Sequence, residues 1–562
     1  MNEGASTCHG AVDDSGTGTQ PGTVTQSGTV TQSGTGTQPG TVTMPRANMR
    51  TWIGFSLMCV ALFMSVLDVQ IVLTALPTIQ AALHIGEDGM SWIQTSYLTA
   101  EVISIPLSGM LARALSLRGC MIVAVAGFTF ASLACGLSND FTSLIVARTV
   151  QGLFGGVIIP CAFSAVFLLF SPRQEPVATG LAGVMAMLAP TLGPWLGGWL
   201  TVHFGWQALF TINLLPGVVV VTGLVFLIPP GTRHLALLRR LDFVGLIMLA
   251  LAMTGIEIAL KEAPIVGWLG RNTLVPGVGG LVLLIGFVRR CRHICAYDER
   301  PGAKTPLVDP AVLRDPQMAL ATGANAVLGA TLYSSTYLMV VFLGLVRGHD
   351  ALAIGDTLMI TGAAQLLTAP IAVWAERRVP PLLFCLIGFA LFGLGCAMDT
   401  ALTPDSDFAA MFWPQAVRGA ALMICILGTT RLALGHLPRE QVANASGLFN
   451  LARNLGGAFG IGVVDSLLHE VSVSRATTIA NGLRAGDVHV AALLHLPIDD
   501  FLAMHDQPLD ADTRSLLEPL IGHLALSGAV NIAWIVLAGA SALVALACLI
   551  VRIKLRGGPG RI

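Results

Sequence analysis

From Trp52 to Val551 the chain is built on one repeated unit: runs of roughly 20 apolar residues, each long enough as a helix to cross about 30 Å of hydrocarbon, parted by short polar turns. A segment in lipid must satisfy its own backbone N–H and C=O groups, and a helix does so. Fourteen such runs are read, at 52–77, 91–111, 119–137, 141–162, 177–200, 208–229, 242–260, 272–289, 317–343, 351–373, 381–399, 408–434, 445–467 and 529–551. The expected fold class is an all-α polytopic membrane protein with both termini on one side. Composition agrees: only 11% of residues are charged and mean hydropathy is +0.75, whereas a soluble domain carries about 25% charge.

Lys and Arg are enriched in cytoplasmic loops. With the N-terminus inside, about 21 of them fall on the cytoplasmic side, in stretches such as "RHLALLRR" and "RRCRHI", and about six outside. Both termini are therefore expected in the cytoplasm. The net charge is −1 and three residues are lysine, so no basic patch invites nucleic acid. Eleven cysteines lie mostly in apolar runs, where a thiol behaves as a small hydrophobe and no disulfide framework is implied.

The start is a different material. "SGTGTQPGTVTQ" begins at Ser15, "SGTGTQPGTVT" recurs at Ser33, and no Lys or Arg precedes Arg46. Such a tract buries too little apolar surface to order itself and lacks the features of a signal peptide. Residues 1–45 read as a disordered cytoplasmic tail, with Met44 or Met49 an alternative start.

Two pairs of segments repeat. "NDFTSLIVARTVQGLFGG" at 139–156 lies over "SDFAAMFWPQAVRGAALM" at 406–423, and "ATGLAGVMAMLAPTLG" at 178–193 over "ASGLFNLARNLGGAFG" at 445–460, both at an offset of 267 residues. Transporters are often built from duplicated halves. The expected division is a six-helix bundle at 46–230, an inserted pair of helices with a linker at 231–316, and a second six-helix bundle at 317–552. A periplasmic loop at about 468–528 belongs to the second bundle, and a short cytoplasmic tail follows at 553–562.

These residues resemble the major facilitator superfamily and, within it, the fourteen-span drug:proton antiporters of the EmrB/QacA type. "LDVQIVLTALP" is similar to that group's first-span motif, "LIVARTVQGLFGG" to the superfamily's fourth-span motif, "LAPTLGPWLGG" to the fifth-span motif of antiporters, and "ASGLFNLARNLGGAFG" to the group's span-13 segment. The resemblance covers about 50–552. It implies two halves that rock about a mid-membrane site, protons and a small molecule as the transported partners, and, in two-membrane bacteria, a periplasmic membrane-fusion adaptor and an outer-membrane channel. One loop departs from the pattern: "GMLARALSLR" carries Arg113 where the superfamily has Asp after Gly109. A charge relay through that loop is in doubt, while Arg113 and Arg118 still hold it in the cytoplasm.

An ionised carboxylate at the centre of a membrane helix costs about 2.5–3.5 kcal/mol on insertion scales, so Asp68 needs a reason to be there. At about 1.5 Å per residue, Asp68 lies roughly 13 Å from the outer end of its span, Glu101 about 14 Å into the next and Arg148 about 10 Å into the fourth. Groups at one depth pair with each other. The three are expected to form the proton-coupling site, with Glu101 competing for the Arg148 cation; the alternative is a purely structural brace. In the second half, Gln415 takes the place of Arg148 and Arg418 that of Gln151. Gln151, Tyr97, Tyr333, Tyr337, Gln415 and Arg418 are the candidates for a substrate cavity. Gly152, Gly193, Pro194, Gly197, Gly198, Gly456 and Gly457 are expected to serve gating or close helix packing.

Other chemistry finds little support. "CRHIC" at 291–295 lacks zinc-site spacing, "HEVSV" lacks the second His of a zinc-protease helix, and no lysine completes a phosphate-binding loop. No metal, cofactor or enzymatic activity is expected. The expected function is proton-coupled export of drugs or amphipathic metabolites across the inner membrane; the rivals are an uptake symporter of the same fold and an intramembrane sensor or enzyme.

Overall fold

Pro77 ends the first long helix. Its ring clashes with the carbonyl four residues back and it lacks an N–H, so α1 (Met49–Thr74) breaks at Ala75 and resumes as α2 (Leu76–Ala82). The computed structural model describes residues 48–86, 89–171, 173–296, 307–437, 439–494, 496–497 and 511–557; the tail expected at 1–45 lies outside them.

The remaining helices follow in order. In the first half they are α3 (Trp92–Leu115), α4 (Leu117–Gly136), α5 (Phe141–Leu169), α6 (Glu175–Phe204), α7 (Ala208–Thr211) and α8 (Leu214–Leu227). Next come α9 (Phe243–Val266) and α10 (Arg271–Ala296). The second half holds α11 (Pro316–Val341), α12 (Ala351–Glu376), α13 (Pro381–Ala397), α14 (Phe408–Leu434), α15 (Arg439–Arg484), α16 (Val488–Leu493) and α17 (Ala511–Gly557). Every one of the fourteen expected runs is carried by helix, those at 52–77 and 208–229 each by two. Twelve helices are long and apolar enough to cross a membrane by length and composition. α13 is a shorter apolar helix, and α15 carries Arg453 and Asp465 along its apolar stretch.

The duplication read from the sequence is a duplication of packing. In the first half α1 packs on α6, α3 and α4 pack on α5, and α8 closes against α4 and α1. The second half repeats this with α11 on α15, α12 and α13 on α14, and α17 against α13 and α11. Asp140 and Asp407, at the repeat offset, are the N-caps of α5 and α14, accepting from the backbone N–H of Ser143 and Phe408 respectively. α9 and α10 pack on each other, and α9 also touches α3 and α15.

The stretch expected as a loop over 468–528 is carried in large part by helix. α15 runs on unbroken to Arg484 and α17 starts at Ala511. Leu483, Ala491 and Leu494 form a small core of their own there with Ile479, Val490, Ile521 and Leu524. An apolar face on each helical extension is what lets them continue beyond the bundle.

Because α1 starts on one face and successive helices alternate, the two faces are called here the start face, which carries Met49, and the far face. The halves meet through α3 with α15 and α6 with α12. A methyl on Gly198 would overlap the Ala351 backbone and one on Gly355 the Pro194 carbonyl. Thr191 donates to the Gly362 carbonyl at 3.1 Å. These contacts lie in the far-face half of α6. Toward the start face, a methyl on Gly180 or Gly183 of α6, Gly109 of α3 or Gly447 of α15 would meet nothing within 4 Å. The close backbone contacts between the halves thus lie toward the far face, while these start-face glycines meet no neighbour.

Candidate functional site

Four elements of the first half converge on Asp68. Arg148 of α5 places Nη1 2.5 Å from Asp68 Oδ2 and neither side chain has any solvent exposure. Arg148 also donates to Gln151 Oε1 at 2.7 Å, and Gln151 donates to Asp68 Oδ1 at 2.9 Å, which closes a ring of three side chains. Asn213, at the break between α7 and α8, donates to the same Asp68 oxygen at 3.0 Å. Ser132 of α4 receives Gln151 at 2.6 Å and Asn213 at 3.2 Å. The guanidinium carbon sits 4.4 Å from the centre of the Tyr97 ring and Nε donates to the Ile93 carbonyl at 3.3 Å. A helix three or four residues per turn puts Arg148 and Gln151 on one face, and Gly152 lets α5 approach the Tyr97 carbonyl of α3.

A buried ion pair offsets its desolvation only when its remaining hydrogen-bonding capacity is used. Both Asp68 oxygens are used here, while Arg148 Nη2 has no hydrogen-bond partner and the guanidinium packs on the Tyr97 and Phe210 rings. Glu101, one helix turn beyond Tyr97, is buried against α15, where Arg453 and Asn454 act on it along with Arg148. Glu101 therefore stands at the contact between the halves, and Arg148 gives its hydrogen bonds to Asp68, Gln151 and Ile93.

The second half places its charges differently. Arg418 forms an ion pair with Asp399 beyond the end of α13, and its guanidinium carbon lies 4.4 Å from the Trp534 ring centre. Gln415 receives a hydrogen bond from Thr361 of α12. Of the six residues given to a substrate cavity, Tyr97, Gln151, Tyr337, Gln415 and Arg418 are packed inside the helical bundles with at most 2% exposure, and Tyr333 packs against Gly457. Partners within the packing hold most of them: Gln151 has Arg148, Asp68 and Ser132, Tyr337 has Asp465, Gln415 Oε1 has Thr361 and Arg418 has Asp399, while Gln415 Nε2 and Arg418 Nη2 have no hydrogen-bond partner.

Of the glycine set, Gly193 lies against Gln70 of α1, Gly197 against the Ile71 carbonyl of α1, and Gly456 against the Ala326 carbonyl of α11. Gly197 and Gly456 thus do the same work in the two halves, joining α1 to α6 and α11 to α15. Pro194 and Gly198 meet α12. On the start face Arg113 is exposed, and Arg118 ties α4 to the end of α8 through the Ile228 carbonyl at 3.0 Å. Among the described residues no group of three or more His, Cys, Asp or Glu is arranged to hold a metal.

Sequence reasoning missed Ser132, Asn213, Asp399, Glu257, Lys261 and Asp465. Asp399 was within reach, because the 267-residue offset sets it over Ser132 just as it sets Arg418 over Gln151. Glu257 and Lys261 are spaced by four in an apolar run, a pairing signature on a helix. Asn213 gave no signal, since its role depends on a helix break.

Paired bundles of membrane-crossing helices, joined at one face and each holding a buried ion pair, define a membrane transporter. The chain belongs to the Major Facilitator Superfamily, whose family model matches residues 58–461. It is 34% identical over 434 residues to the "Colistin resistance protein EmrB" of Acinetobacter baumannii, covering 76% of this chain and 82% of that one. It is 27% identical to the "Multidrug export protein EmrB" of Escherichia coli, over 73% and 78% of the two chains. It is 28% identical to the "Multidrug resistance protein Stp" of Mycobacterium tuberculosis, over 72% and 74%. Among solved structures, a bacterial homologue of the human lysosomal transporter Spinster, captured inward-facing and unoccupied, superposes with a TM-score of 0.57 at 14% identity, over 90% of this chain and 98% of that one. That likeness concerns the fold. The protein is a multi-pass membrane transporter of small molecules, related to the EmrB-type exporters.

Proposed function

We propose that this transporter exports amphipathic, drug-like molecules or metabolites across the inner (cytoplasmic) membrane in exchange for protons, with fourteen crossings and both termini in the cytoplasm. The observation that carries the reading is Asp68: a carboxylate without solvent exposure, 2.5 Å from an Arg. Arg does not give up its proton. Any movement of α5 against α1 therefore changes the charge that Asp68 faces, and with it the affinity of that carboxylate for a proton. Names of relatives that speak of multidrug export and colistin resistance support export over uptake. The concentration of Arg on the start face supports a cytoplasmic start face.

The far-face extensions of α15 and α17 then project outward, with Leu493 and Leu520 partly exposed. They are the candidate contact for a membrane-fusion adaptor leading to an outer-membrane channel, or else a lid on the bundle. Photo-crosslinking from both leucines in the native host separates the two: an adduct with an adaptor supports docking, and adducts confined to the transporter leave the lid.

The test of transport uses everted vesicles containing the full chain and a panel of amphipathic compounds, a polymyxin among them. Energised vesicles are expected to accumulate a compound and to lose it when the pH gradient is collapsed, and adding that compound is expected to release protons from acid-loaded vesicles. Accumulation indifferent to the gradient would overturn proton coupling, and movement in the opposite direction would overturn export.

A further inference from the structure

Away from Asp68, a second ionisable cluster joins both halves to the inserted pair. Asp465 of α15 accepts from Ser91, just before α3, at 2.6 Å, and from the Tyr337 hydroxyl of α11 at 2.6 Å. Lys261 of α9 lies 3.4 Å from Asp465, donates to Ser91, and stands 4.8 Å from the centre of the Trp92 ring. One turn earlier on α9, Glu257 is 3% exposed beside Thr95. Its Oε1 has no hydrogen-bond partner. The charged groups acting on Glu257 are Lys261 and Asp465, with the neutral Thr95 of α3 beside it.

Charge balance singles this cluster out. Asp68 has Arg148 and Asp399 has Arg418, one cation for each carboxylate. Here two carboxylates share one ammonium, so the fully ionised cluster would bury a net negative charge. An uncompensated buried carboxylate takes up a proton rather than bear the cost of desolvation. The placement ties that proton to conformation. Ser466 of α15 bonds the Leu260 carbonyl and a methyl on Gly462 would lie 3.5 Å from Glu257, so α9 is fastened to the second half. Lys261 reaches across to Ser91 and Trp92 of the first. Parting of the halves at the far face would break the contacts across and admit water to both carboxylates.

We propose that Glu257, with Asp465 and Lys261, is a second proton-binding site, occupied by one proton when the halves are closed at the far face and exchanging it with the far-side solution when they part. The two carboxylates share the proton as a coupled pair, and Glu257, with its unpartnered oxygen, is its main holder. The site deepens the reading of a proton-coupled carrier that alternates between two facings, and is tested without transport.

Infrared difference spectra of the full chain in lipid, recorded across a pH titration, read protonated carboxyl groups directly. Wild type is expected to show a carboxylic-acid C=O band that Glu257→Gln lacks and Asp68→Asn keeps. Lys261→Met, which leaves both carboxylates without a cation, is expected to gain one further such band. Its gain supports the site even where Glu257→Gln folds poorly. Persistence of every band in folded Glu257→Gln, or an unchanged spectrum in Lys261→Met, overturns the proposal. Loss of the Glu257 band in a protein whose export ignores the pH gradient would instead count against proton-coupled export while leaving this site standing.

Discussion

Asp399 and Arg418 form a buried ion pair at the register where the first half holds Ser132 and Gln151, 267 residues earlier, at 2.6 Å. One backbone position thus carries a charged pair in one half and a neutral pair in the other. Replacing one member of a buried pair strands the other and costs about 3–5 kcal/mol, whereas replacing both by a matched pair is often neutral or stabilising. Asp399→Ser and Arg418→Gln are each expected to lower the melting temperature in detergent strongly, and the double variant, which copies the first half, to recover most of the loss. A double variant as unstable as the sum of the singles would show that the two side chains act independently.

Much of this was legible in the sequence, for identifiable reasons. Apolar runs declare membrane helices because lipid tolerates little else, so the long helices fell where the hydropathy put them, and the offset between "NDF" and "SDF" aligned two segments that the structure shows to be equivalent N-caps. Depth along a helix brought Asp68 and Arg148 together correctly. Depth says nothing of azimuth, however. Glu101 shares their level yet faces Arg453 and Asn454, and Tyr97 turns under Arg148 rather than toward an open cavity. The cluster of Lys261 and Asp465 spans 204 residues of chain, and only the packing of α9 between the halves reveals it. The extension of α15 to Arg484 was missed because its polar residues read as a loop.

Asp68→Asn is expected to abolish proton-driven export. The amide keeps an acceptor for Gln151 and Asn213, so the helices stay assembled, but Arg148 loses its counter-charge and stability falls by about 3–5 kcal/mol or less where the amide compensates. The measurement is substrate-induced proton release from reconstituted vesicles, normalised to monodisperse protein. Normal coupling with an unchanged pH profile in the Asn variant would move the role elsewhere, to Glu101 first.

Gly198 is the position where α6 can least spare space, since any Cβ would overlap the Ala351 backbone of α12. Gly198→Val is expected to hold the halves apart at the far face, with the overpacking costing about 1–3 kcal/mol in the closed form. Transport would be lost while expression persists, and a cysteine placed at Leu352 would become reactive to a membrane-impermeant thiol reagent from the far side. Full transport with Leu352 still protected would show that α6 and α12 do not form the closure.

At the far-face end of α14, Asp407 accepts from the Phe408 backbone N–H at 2.9 Å and faces Arg347 at 3.4 Å and His349 at 3.6 Å. The Phe408 N–H first, then His349 and Arg347, hold its carboxyl below the usual carboxylate range against a small opposing effect of burial. A carboxylate depressed in the folded state adds stability that is complete above its unfolded value of about 3.9 and is lost as the pH falls through its folded value. Asp407 is half exposed, so solvent and salt screen its ion pairs and their share is small. Asp407→Asn keeps a good cap and removes only the charge, whereas Asp407→Ala also removes the cap and costs about 1 kcal/mol. Melting in detergent is expected to show a slight deficit for the Asn variant at neutral pH that closes below about pH 4, and a larger one for the Ala variant. An Asn deficit that stays constant into acid would mean that charge at Asp407 contributes nothing, and that the cap alone secures the start of α14.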